Sequence, residues 1–378
     1  MYKRQLLRVL YLSIFLTSTG LGTSTFLLPV YAETLGATYM DLGRIGAAGN
    51  VFYFLGTLVT GFLLERYERV SLYLWFTLGG AATIFLFNFA DSIPLITMMR
   101  LLLGVYSAAF WVTASTLTAD ISPTDKLTQS MGRYNQAWIL GFTVGPLIGG
   151  QVISAYGYGV FFLSLSAVIA FSLITVFLRM RGRISLVNTS QREHQGLDRL
   201  RGALLGYLTL IPYTLILGIY MAIMPGHMNA AGLASATIGL LITATNGVRG
   251  VAFMNVERLV EWGHTKSIAV AASILAASMF LATKASDTPS FAIPLLLYGI
   301  GSGIVTPVAL DWITKRTPRE VLGTAMGAHE GIYGVGMCLG PLAGGFIADA
   351  YSPSTLYLAL VGVALVIMPL TWRMRDAG

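Results

Sequence analysis

The feature that most limits the fold of this chain is a succession of apolar stretches, each long enough to cross the hydrocarbon core of a bilayer. They cover residues 6–31, 41–63, 71–89, 93–118, 129–154, 158–178, 202–227, 236–258, 267–285, 291–314, 322–347 and 354–373. Lipid offers backbone groups no water. Segments of this length must therefore satisfy their own N–H and C=O groups, which the α-helix does within one segment. Only 11% of the residues are charged and 55% are hydrophobic, whereas a soluble domain carries about a quarter charged residues. The expected fold class is an all-α membrane protein with twelve transmembrane helices.

The net charge of +7 would suit a nucleic-acid partner, but its distribution points to a membrane instead. With the N-terminus placed in the cytoplasm, twenty of the 24 Lys and Arg fall in cytoplasmic segments, from Lys3, Arg4 and Arg8 to Arg373 and Arg375. Arg44, Arg100, Arg249 and Lys284 are the remainder. This is the positive-inside pattern, with both termini cytoplasmic. The expected surroundings are a lipid bilayer, with no nucleic acid. Lys3-Arg4 precedes an apolar run too long for a signal peptide and lacking a small-residue cleavage site, so it reads as an uncleaved first helix. Cys338 is the only cysteine, which excludes an intrachain disulfide.

The phrase "GPLIGG" at 145–150 returns as "GPLAGG" at 340–345, an offset of 195 residues. The same offset relates Gly132 to Gly327, Gly141 to Gly336, Pro123 to Pro318, Met131 to Met326, Gly104 to Gly299 and Ser107 to Ser302. The chain is an internal duplication. It divides into a six-helix bundle over 1–180, a polar cytoplasmic linker over 181–201, and a second, pseudo-symmetric six-helix bundle over 202–378. Parallel repeats of this kind can rock about a central site and expose it alternately to either side.

Four pieces of sequence carry a resemblance to a known family. "GFLLERYERV" at 61–70 is similar to the loop motif G-x-x-x-D-R-x-G-R-R, with Gly61, Arg66 and Arg69 in place, Glu65 for Asp and Glu68 for the second Gly. "RLLLGVYSA" at 100–108 supplies Arg100 and Gly104 of a helix 4 motif, and the two Gly-Pro phrases match a helix 5 motif at every glycine and the proline. The chain thus resembles the major facilitator superfamily of secondary transporters, in its antiporter-type drug/proton branch. After helix 8, Glu257, Arg258, Gly263 and Lys266 form a worn copy of the loop motif, with Phe253 in the glycine's place.

The resemblance implies a conformational latch at the cytoplasmic side, made by Gly61, Glu65, Arg66 and Arg69 facing Asp120. It also implies a seam between the halves formed by Gly141, Gly145, Pro146 and Gly149 in one repeat and Gly336, Gly340, Pro341 and Gly344 in the other. Glycines four apart form a bare stripe that lets helices approach closely, and the prolines permit a bend.

Charges inside the membrane cost several kcal/mol unless paired or hydrated. The duplication serves as an internal control on them, because Arg100 aligns with Leu295 and Glu330 with Asn135. The fold therefore tolerates an uncharged residue at each place. Glu330, the only carboxylate well inside a span, is the candidate proton-coupling group, with Arg100 and Arg249 as its modulators. His329 aligns with Tyr134 and should point about 100° away from Glu330. Helix 1 carries no acid except Glu33 at its outer end, a departure from drug exporters of the family. Two arginines against one glutamate suit an anionic substrate equally well.

In the first half, the expected substrate cavity is lined by Ser18, Thr23, Asn50, Tyr53, Tyr106, Trp111, Asn135 and Trp138. In the second half, Tyr213, Tyr220, Asn246, Tyr298, Ser302 and Tyr333 continue it. The set suggests an amphipathic site. No G-x-S-x-G, H-E-x-x-H, phosphate-binding loop or Cys/His grouping occurs, so no enzyme activity, cofactor or metal is expected. The expected function is proton-coupled efflux of a small amphipathic molecule by a monomer in a prokaryotic inner membrane. The alternatives are a proton-linked or exchange transporter of an organic anion or other metabolite, and a non-transporting scaffold on the same fold.

Overall fold

Among the described residues of the computed structural model, eleven helices are long and apolar enough to cross a membrane. The structure describes residues 2–123, 126–180, 197–318 and 321–372. The first helices are α1 (Tyr2–Thr34), α2 (Tyr39–Arg66), α3 (Arg69–Leu86), α4 (Ile93–Ile121) and α5 (Leu127–Met180). After the stretch 181–196, which lies outside the described residues, come α6 (Leu204–Ala222), α7 (Met224–Ala230), α8 (Ser235–Met254), α9 (Val256–Glu261) and α10 (His264–Ala282). The chain then continues through α11 (Thr288–Lys315), α12 (Leu322–Ala350), α13 (Pro353–Leu365) and α14 (Ile367–Thr371). No strand occurs among the described residues.

Three departures from the expected spans have local causes. The fifth and sixth spans run together as α5, but Gly157 within it is not helical, at φ 79° and ψ 178°, so two helices meet there. That left-handed φ suits glycine. The expected seventh span splits into α6 and α7 because Pro225 has no N–H for the carbonyl one turn back and collides with it. Pro369 separates α13 from α14 in the same way. Polar caps mark other starts: Glu68 accepts from Val70 N at 2.9 Å and Ser71 N at 2.6 Å at the head of α3. Gly263, at φ 108°, precedes α10 without a side-chain cap.

The helices group into two units. The first comprises Met1–Leu35 and Ala48–Gln191, the second Gly36–Ala47 and Arg192–Gly378. Residues 36–47 thus join the second unit, although the duplication assigned all of 1–180 to one bundle. Small residues and a cap explain the attachment. A Cβ on Gly46 would lie 2.5 Å from Ala222 Cβ, and one on Gly345 would lie 2.5 Å from Tyr39 O. Asp349 accepts from Tyr39 N at 2.9 Å and Met40 N at 2.8 Å.

In unit 1, buried hydroxyls tie three helices together. Ser13 Oγ lies 2.6 Å from both Tyr73 Oη and Ser172 Oγ, and Thr17 Oγ1 lies 2.9 Å from Ser172 Oγ. Where lipid removes the hydrophobic drive for association, such bonds and close packing hold helices together. The outer faces are apolar: Leu58, Val59 and Phe62 on α2, Trp75 on α3 and Ile148 on α5 are all exposed. Such a surface belongs in hydrocarbon.

Candidate functional site

Three helices of unit 2 direct polar side chains toward one guanidinium, carried by a fourth. Arg249, on α8, donates from Nη2 to Tyr213 Oη on α6 at 3.1 Å. Tyr220 (α6), Tyr298 (α11) and Tyr333 (α12) also lie within its electrostatic reach. The Tyr220 and Tyr298 rings are stacked, with centroids 4.2 Å apart, and the Tyr213 and Tyr333 rings meet edge-on at 6.2 Å. Tyr333 Oη and Thr306 Oγ1 are 3.1 Å apart. Gly303 makes room for the α8 backbone, since a Cβ there would lie 2.7 Å from Arg249 O. Tyr213, Tyr220 and Tyr298 are fully buried, whereas Arg249 and Tyr333 keep some exposure.

Glu330 lies one turn before Tyr333 on α12, and 68% of its side chain is exposed. Its side chain is mostly open, and no ion pair joins it to Arg249 among the described residues. His329 does not point away as expected. Its Nδ1 lies 3.2 Å from Glu330 Oε1, its ring packs at 4.7 Å on Tyr333, and its Nε2 is buried without a partner. Adjacent helical side chains diverge at Cβ, but a glutamate is long enough to curl back to the neighbouring imidazole.

The unit 1 residues form a different kind of cluster. Trp111 on α4 meets Trp138 on α5 at 6.2 Å, and both rings contact Phe142, at 6.0 and 5.7 Å. Trp138 donates from Nε1 to Asn135 Oδ1 at 3.1 Å. Phe142 was not anticipated; its signal is Gly22 on α1, where a Cβ would come within 2.8 Å of that ring. Tyr106 leaves this group and lies across Gly79 of α3. Asn50 and Tyr53 are half-buried on α2, and Asn246 is buried on α8. Arg100 packs over Gly49, whose added Cβ would lie 2.7 Å from its Cζ, and Gly104 meets the Gly49 carbonyl. The helix 4 motif residues therefore share one contact on α2.

The glycine stripes pack inside each unit, where the resemblance had suggested a seam between halves. Gly141 faces Phe15 O and Ser18 on α1, Gly145 faces Thr23 and Thr19, and Gly149 faces Thr23 and Leu27. In unit 2, Gly336 faces Thr214, Gly340 faces Leu215 O and Gly344 faces Ile219, all on α6. Pro146 lies within α5, and Pro341 packs on Gly218 of α6. Of the latch residues, Arg69 is buried and paired with Asp120, joining α3 to α4. Glu65 and Arg66 are exposed, with Arg66 over the Phe62 ring at 4.0 Å, and Gly61 faces open space. An unanticipated counterpart exists in unit 2. His264, 195 residues beyond Arg69, has its Nε2 2.8 Å from Asp311 Oδ2, and Lys315 Nζ lies 2.9 Å from the same oxygen.

Among known proteins, an uncharacterised MFS-type transporter of Methanocaldococcus jannaschii is 24% identical over 358 residues, 92% of each chain. The multidrug resistance protein MdtG of Citrobacter koseri is 25% identical over 395 residues, covering 98% of this chain and 95% of that one. The solved structure of the nucleoside transporter NupG matches with a TM-score of 0.78 at 14% identity, over 98% of this chain and 100% of that chain; at this identity the likeness concerns the fold. The family model of the Major Facilitator Superfamily matches residues 10–217 and again 206–378. The chain, a multi-pass helical membrane protein from end to end of that match, belongs to the Major Facilitator Superfamily of transporters.

Proposed function

We propose that this chain is a secondary active transporter that expels a small amphipathic molecule by alternating access, driven by protons moving the other way. The observation that carries the reading is the Glu330–His329 pair on α12. The first repeat has Asn135 and Tyr134 in its place. A carboxylate next to an imidazole can accept a proton and hand it on, whereas an amide cannot. Tyr333 lies within electrostatic reach of both Glu330 and Arg249, which offers a route for the charge state of one to be felt by the other. The similarity to a protein named for multidrug resistance supports outward transport, and its bacterial source fits a prokaryotic inner membrane.

Glu330→Gln tests the reading, because an amide mimics the protonated acid permanently. Substrate exchange across proteoliposomes of equal pH should survive, and accumulation driven by a pH gradient should vanish. If the Gln variant still concentrates substrate when only a pH difference is imposed, Glu330 is not the coupling group.

A further inference from the structure

We infer that Arg249 and the tyrosines around it form a subsite for the carboxylate of an aromatic acid; this rests on the transport reading and names a substrate class for it. A guanidinium taken out of water needs a counter-charge or a full set of acceptors. Arg249 has neither. No carboxylate reaches it among the described residues, its one hydrogen bond goes to the neutral Tyr213 hydroxyl, and its Nε has no partner. Tyr298 Oη, on the opposing helix, is 1% exposed at the residue level and also unpartnered. A planar carboxylate would satisfy both, accepting from the guanidinium edge with one oxygen and from the Tyr298 hydroxyl with the other.

The rest of the substrate follows from the walls. The stacked Tyr220 and Tyr298 rings and the edge-on Tyr213 and Tyr333 rings present aromatic faces and edges, which suit a flat ring rather than a hydrated sugar. Arg249 itself keeps some exposure, while its Nε and the Tyr298 hydroxyl are closed to solvent. The scaffold does not require the arrangement. The matching positions of the first repeat hold Ser18 for Tyr213, Leu103 for Tyr298 and Trp138 for Tyr333. Arg249 itself corresponds to Tyr53, because the contacts of α8 are displaced by one residue. Gly299 meets Thr245 O where Gly104 meets Gly49 O, and Gly303 meets Ala252 where Ala108 meets Gly56.

Binding of 2-naphthoate and of its neutral isostere 2-naphthamide to the purified full-length protein in nanodiscs tests the inference. Naphthoate should bind about tenfold more tightly than the amide, the scale of one charge-assisted contact. Arg249→Gln should erase that preference, and Tyr298→Phe should weaken naphthoate several-fold while leaving the amide unchanged. If Arg249→Gln does not fold, the Tyr298→Phe comparison decides alone. Equal binding of the two probes to the native protein, absence of binding by both, or a preference that survives the substitutions would overturn the subsite. The two readings fail separately. Uphill, pH-driven transport by a protein indifferent to the charge would leave the transporter standing without this subsite. Arg249-dependent naphthoate binding without any flux would do the reverse.

Discussion

Gly104 and Gly132 are both kept by the duplication, as Gly299 and Gly327, yet they stand in opposite surroundings. Gly104 lies against the Gly49 carbonyl of α2, so a methyl group there must push two backbones apart. Gly132, an exposed helical residue of α5, has nothing within 4 Å of where a Cβ would stand. Gly104→Ala should therefore lower stability by about 2 kcal/mol through overpacking. Gly132→Ala should raise it by up to about 1 kcal/mol, because alanine favours the helix. Thermal unfolding of the two variants in one detergent checks both signs, and equal shifts would show that the α2–α4 approach is not as close as described. Sequence identifies a glycine worth keeping without saying which helix it admits. The stripe on α5 reads as bare in "GFTVGPLIGG", but only the structure shows α1 as its partner. The same holds for Arg249. Tyr213, Tyr298 and Tyr333 were each legible as candidates, while their convergence from three helices on one guanidinium has no local signature.

At the scale of the element, the worn loop motif acquires a physical account. Glu68, which replaces the expected glycine, caps α3 with its carboxylate, and Gly263, at the corresponding place before α10, adopts a left-handed φ instead. Next to each of these residues, the first side chain of one helix reaches an acid near the end of the following long helix: Arg69 to Asp120, and the His264 imidazole to Asp311. Because Arg69 is only 5% exposed, removing its counter-charge leaves a buried guanidinium. Asp120→Asn should cost about 2 kcal/mol, less than a fully buried pair because Asp120 remains partly solvated. A melting temperature within error of the native protein would show that solvent already compensates Arg69. A second element responds to pH. Asp287, outside the spans, caps α11, and the Ser290 hydroxyl and backbone N–H hold its carboxyl below the usual aspartate range. A depressed pKa stabilises the fold above the unfolded value, and the effect is lost as pH falls through the folded one. The deficit of Asp287→Ala in thermal stability should accordingly shrink on acidification; a deficit that grows would show that the carboxylate is not the cap.

For the whole molecule, the apolar runs made the helical architecture legible, since lipid leaves the backbone little choice. The breaks at Pro225 and Pro369 could have been read from the same residues. That the helix 8 alignment slips is legible in the sequence too, but the size of the slip, one residue, shows only in what meets Gly299 and Gly303. How often the chain crosses the membrane turns on α5, and a parity argument makes that measurable. Between Tyr67, in the turn after α2, and Ser286, in the turn before α11, lie α3, α4, α5, α6, α8 and α10, each long and apolar enough to span. If α5 crosses once, Tyr67 and Ser286 lie on the same side. If the chain reverses at Gly157, one crossing is added and they lie on opposite sides. With the basic residues Arg66 and Arg69 next to Tyr67, the positive-inside rule predicts that turn in the cytoplasm, so Ser286 should face out. Both residues are exposed, and the sole cysteine, Cys338, can first be changed to Ser. In intact cells a membrane-impermeant maleimide should label Ser286→Cys and should reach Tyr67→Cys only after permeabilisation. Labelling of both in intact cells, or of neither, would mean an even number of crossings and a single pass through α5. The opposite pattern, Tyr67→Cys alone, would keep the reversal at Gly157 and invert the whole chain in the membrane.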